Sequence, residues 1–74
     1  MIKYIIKGMV EGKLLYYAGK HYEASGAFSG SLYYATLFTD KFDTELMKSI
    51  LESRFTAQLT VVLVKVTVQE LSNK

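Results

Sequence analysis

The sequence predicts an α+β fold: a four-stranded mixed sheet in the order β-β-β-α-β, with one helix packed on one face. Three observations carry this expectation. Apolar, β-branched and aromatic residues fill Ile2 to Val10 and resume over Lys13 to Tyr22, a helix start follows Phe42, and Leu59 to Val68 (LTVVLVKVTV) is the most strand-like run in the chain. Seventy-four residues make one domain, residues 1–74, near the size at which a single core barely offsets the entropy of ordering the chain.

The first strand places Ile2, Tyr4, Ile6 and Val10 on one face and Lys3, Ile5, Lys7 and Met9 on the other. Glu11-Gly12 between two strand-like runs predicts a tight hairpin. Residues 23–31 (EASGAFSGS) are small and glycine-containing and read as a loop, in which Phe28 is either an anchor to the core or a tip that enters a partner. Leu32 to Phe38 reads as a third strand. Asp43 is the expected N-cap of the helix, with Phe42 stapled onto Met47, Leu46, Met47, Ile50 and Leu51 as the apolar stripe, and Arg54 at the negative end.

In the last strand Val62, Val64, Val66 and Val68 share a face and are expected beneath the helix, with the strand parallel to the first and third. Leu59, Val61 and Leu63 occupy the other face, which turns polar at Lys65, Thr67 and Gln69. One helix covers one sheet face. The half-apolar second face therefore assigns Leu59, Val61 and Leu63 to self-association, and a homo-oligomer is expected. Oligomerisation also replaces the staples that so short a chain lacks, because there is no Cys for a disulfide or a thiolate zinc site.

Half the residues are hydrophobic, which excludes the composition of a disordered chain. The apolar run Val61 to Val64 is far short of a membrane span, and the N-terminal residues do not form a signal peptide, so no membrane association and a cytoplasmic location are expected. The net charge of +2 is small but uneven: residues 1–22 hold four Lys and one Glu, while residues 40–74 balance.

Chemistry-bearing motifs are sparse. The single His21 has no flanking nucleophile motif and no metal-ligand set around it. Helix capping accounts for Asp40, Asp43 and Glu45 without a cation, and residues 26–30 (GAFSG) lack the Lys-Ser/Thr pair of a phosphate loop. No enzyme, metal site or cofactor is expected. The six tyrosines are more informative, since they lie in the first half among lysines. Tyr16, Tyr17, Tyr22, Tyr33 and Tyr34, with Phe28, are the candidate partner-binding residues, because tyrosine is a favoured interface anchor. Lys3, Lys7 and Lys20 are candidate phosphate contacts for an alternative role in nucleic-acid or nucleotide binding through a Lys/Tyr-rich sheet face.

The segments Lys3-Tyr-Ile-Ile-Lys7, Gly12-Lys-Leu-Leu-Tyr-Tyr17 and Ala35-Thr-Leu-Phe38, followed by the capped helix and the valine-rich strand, resemble the small accessory proteins of phages and prophages. That resemblance covers most of the chain. It implies a non-catalytic protein that binds and inhibits a host factor, including a defence system, and it carries over no functional residues.

Overall fold

The computed structural model describes residues 1–19 and 27–67; Lys20, His21, Tyr22 and Val68 lie outside them. Strand β1 is Ile2–Val10, β2 is Lys13–Tyr17 and β3 is Phe28–Ser29; a 3-10 turn at Leu32–Tyr34 leads to helix α1, Lys41–Arg54, and strand β4, Ala57–Lys65. The strands form one sheet in the order β3-β2-β1-β4. The structure thus has the expected α+β class, with four strands and one helix on one face.

Every pairing is antiparallel, so the sheet is not mixed. Two local outcomes account for the difference. The third strand forms at Phe28–Ser29 inside the expected loop, while most of Leu32–Phe38 is turn and extended chain, tied to the sheet by a Tyr4–Phe38 bridge. The helix then starts beside Tyr4 and ends where the Glu11 N–H donates to the Thr56 carbonyl at 3.0 Å, so it runs along β1. Only Phe55 and Thr56 separate it from β4, which returns beneath it against β1.

The Glu11-Gly12 hairpin forms as expected, with both residues at positive φ (51° and 86°), the twist that suits a two-residue connection. Gly8 has a different role. A Cβ there would overlap the Gln58 carbonyl oxygen and lie 2.8 Å from the Leu59 Cα, so the absence of a side chain lets β1 and β4 close upon each other.

Asp40, not Asp43, caps α1. Its carboxylate accepts from the Asp43 N–H at 2.8 Å, and its carbonyl accepts from the Thr44 hydroxyl at 2.7 Å. With the start three residues early, Phe42 lies on the outer side of the first turn, 74% exposed, and does not staple onto Met47. The face against the sheet is Thr44, Met47 and Leu51, while Leu46 and Ile50 from the expected stripe remain exposed.

The core contains Ile6, Val10, Leu51 and Leu59, with Leu15, Met47, Ala57 and Val61 packed around it. Under β2 and β3 a chain of rings completes it: Phe38 stacks on Tyr17 at 6.1 Å, Tyr17 meets Phe28 edge-on at 6.1 Å, and Phe28 meets Phe55 edge-on at 5.3 Å.

This core inverts the expected faces of the last strand. Residues directly opposite in the ladder share a face, so Ile6↔Val61, Gly8↔Leu59 and Val10↔Ala57 place Leu59 and Val61 beneath the helix. Val62 and Val64 sit across from Ile5 and Lys3 on the far face. Leu59 is buried in its own subunit's core and is not a self-association surface; Leu63 shares its face but overruns the helix and is 59% exposed. The reason is visible in residues 57–61, Ala-Gln-Leu-Thr-Val, where the odd positions are apolar and the even ones polar. That half of the strand is the half that α1 reaches.

Two outcomes test this packing. Gly8→Ala is expected to destabilise by about 1–3 kcal/mol through overpacking against β4, read as a lower urea midpoint with an unchanged slope. Leu59→Asp is expected to abolish the cooperative unfolding transition by burying an unpaired charge, whereas Val64→Asp, half-exposed beside Lys3, is expected to remain folded.

Candidate interaction surfaces

Several surfaces remain once the core is assigned. The first is the Leu32–Tyr34 turn. The Ser31 hydroxyl accepts from the Tyr33 N–H at 3.2 Å, and the Ala35 N–H donates to the Leu32 carbonyl at 3.0 Å. Ala35 and Thr36 behind the turn are buried, and the Thr36 N–H donates to the Tyr17 carbonyl at 2.8 Å. The turn is therefore fastened to the sheet by its backbone. Tyr33 is 85% exposed and meets Tyr34 edge-on at 5.0 Å, with Leu32 and Leu37 also exposed.

The second surface is the sheet face away from α1. Lys3, Ile5, Lys7 and Met9 come from β1, Leu14 and Tyr16 from β2, and Val62 and Val64 from β4. Ile5 is buried at its centre, while Met9 and Leu14 are directly paired and both exposed. Lys7 lies directly across from Tyr16.

The third is the outer edge of β4. The Val66 N–H donates to the Met1 carbonyl at 2.7 Å, so the even positions of this strand direct their backbone groups at β1. The odd positions direct theirs outward. Glu52 reaches down from α1 and its Oε2 accepts from the outward Leu59 N–H at 3.0 Å, while its Oε1 pairs with Lys48 at 3.2 Å. The Leu59 N–H, and after it the Lys48 ammonium, hold the Glu52 carboxyl below the ordinary glutamate range.

The sequence-predicted residues divide among these settings. Tyr33 and Tyr34 project from the turn together, and Tyr16, Lys3 and Lys7 share the far sheet face. Tyr17 and Phe28 are not surface anchors, because both rings belong to the aromatic chain of the core. Leu37, the outer helix row Phe42, Leu46 and Ile50, and the edge role of Glu52 escaped the sequence reading. The row was legible as spacing of four; the Glu52 link was not, since it joins residues seven apart across a helix–strand turn. Among the described residues no group of three or more His, Cys, Asp or Glu could hold a metal ion, and no helix is long and apolar enough to cross a membrane.

Compared with protein-family models, curated proteins and solved structures, the chain matches none of them.

A carboxylate whose folded pKa is depressed stabilises the fold above its unfolded pKa, and the contribution is lost as pH falls through the folded value. The unfolding midpoint is therefore expected to fall on acidification through the glutamate range, and less steeply in Glu52→Gln. Equal slopes in a pH series of denaturant melts would remove this role from Glu52.

Proposed function

We propose that this chain is a small non-enzymatic binding protein that occludes the surface of a partner protein, working in the cytoplasm as a homo-oligomer. The observation that supports it most is the Leu32–Leu37 segment, where a backbone-fastened turn displays Leu32, Tyr33 and Leu37, with the Tyr34 ring edge-on to Tyr33. Tyrosine supplies large contact area with few rotatable bonds, so a rigid display of this kind loses little entropy on docking. The resemblance to phage and prophage accessory proteins agrees with such a role, in which a host factor, including a defence component, is inhibited by coverage and not by chemistry.

A second reading is favoured by one specific observation: Lys3, Lys7 and Tyr16 lie on the same sheet face, with Lys7 directly opposite the ring. A ring to stack on and cations for phosphate are what nucleic-acid or nucleotide binding through a sheet requires.

The two readings separate in one set of measurements. The partner is identified by mass spectrometry after capture from host lysate with wild type and with the Tyr33→Ala/Leu37→Ser double variant, and its affinity is then measured with purified components. A folded double variant with affinity weakened about 30-fold or more, and a wild-type affinity nearly constant between about 50 and 200 mM salt, support the protein partner. An unaffected double variant with binding that falls steeply over the same salt range sinks it in favour of the second reading.

A further inference from the structure

We propose that two copies of this chain join edge to edge through β4, in antiparallel register about Leu63, to form one continuous eight-stranded sheet. This deepens the oligomer half of the reading above and rests on it.

The two edges of the sheet are unequal. One is β3, two residues long; the other is β4, nine residues long and apolar at most positions. Long apolar edges are the ones that accept another strand, and natural monomers shorten, charge or cover them. Here the covering is partial. Glu52 occupies the outward Leu59 N–H, whereas the outward backbone groups of Val61, Leu63 and Lys65 have no hydrogen-bond partner among the described residues. These three alternate positions form a stretch that can pair with itself, Leu63 to Leu63 and Val61 to Lys65 in each direction, which a two-fold axis permits. The exposed Leu63 side chains then cover one another.

The occupant is argued from charge. Lys41, Glu45, Lys48 and Glu52 follow one another at spacings of four, three and four, so they form one row along α1. The Glu52–Leu59 hydrogen bond places that row on the β4-edge side of the helix. Its signs alternate. In an edge-paired dimer the two helices lie antiparallel on the same face of the joined sheet, and Lys41 of one copy approaches Glu45 of the other, twice by symmetry. A parallel arrangement would set like charges together. The row is thus complementary to a second copy of itself.

The experiment is analytical ultracentrifugation of the full chain across a concentration series, with amide exchange measured in parallel. Wild type is expected to reach twice 8.4 kDa, and the Val61, Leu63 and Lys65 amides to gain protection as concentration rises. Leu63→Pro deletes an outward N–H without touching the β1 ladder and is expected to run as a folded monomer. Lys65→Pro, at the strand end, serves if the first variant does not fold. Glu45→Lys is expected to raise the dissociation constant about ten-fold or more by opposing Lys41 with a like charge. A wild type that remains at 8.4 kDa overturns both this pairing and the oligomer reading beneath it. A dimer that persists in the folded proline variants, or whose three amides exchange independently of concentration, overturns the edge pairing alone.

Discussion

The ladder between β1 and β4 determines which side chains meet the helix, and Gly8 is what allows that ladder to close. Nine residue pairs run without a bulge from Ile2↔Lys65 to Val10↔Ala57, and the backbone of Gln58 and Leu59 fills the space a side chain at position 8 would need. With this register Ile6, Val10, Leu59 and Val61 converge beneath Leu51 and Met47. A slip of β4 by one residue against β1 would replace Leu59 and Val61 beneath the helix with Gln58 and Thr60. The aromatic chain on the β2 side and the Asp40 cap both presuppose this closure, since they fix where α1 begins and how deep it sits.

Much of the architecture was legible in the chain. The first hairpin, the helix and the final strand are strong local signals, because turn chemistry, capping and β-branched runs act over a few residues. Less legible was which side of the final strand would be covered. Its two halves carry opposite amphipathicity: apolar at odd positions over 57–61 and at even positions over 62–68. The valines are the louder half. The helix, however, is joined to β4 by two residues and can lie only over the first half, so the quieter alternation determines the core. Cap choice shows the same competition, for Asp40 and Asp43 are both good caps and the earlier one lets Thr44 enter the buried face. The tyrosines divide similarly. In Tyr16-Tyr17 the pleat sends one ring outward and one inward, but Tyr33-Tyr34 is in a 3-10 turn and both rings leave the core.

Among the described residues the exposed apolar side chains, including Met9 and Leu14 on the far sheet face, Leu32, Tyr33 and Leu37 at the turn, Phe42, Leu46 and Ile50 on the helix and Leu63 near the β4 edge, are distributed and not gathered into one cleft. The far sheet face, the tyrosine turn, the outer helix row and the β4 edge point in different directions. Such a distribution is compatible with the two contacts proposed above, one with a target and one with a second copy, lying on separate parts of the surface. The charged row on α1 and the tyrosines on the turn differ in chemistry.

The pairing of β1 with β4 also governs when, during synthesis, the fold can close. Partners in the β1–β4 ladder are separated by between 47 positions (Val10 and Ala57) and 63 positions (Ile2 and Lys65). A nascent chain emerging from the ribosome can form the Glu11-Gly12 hairpin early, but Ile2 to Ile6 must wait until Val61 to Lys65 have emerged before they acquire their main neighbour. Such long loop closure makes assembly slow relative to helical bundles of equal length. During that interval the isoleucines lack the strand that covers them in the fold.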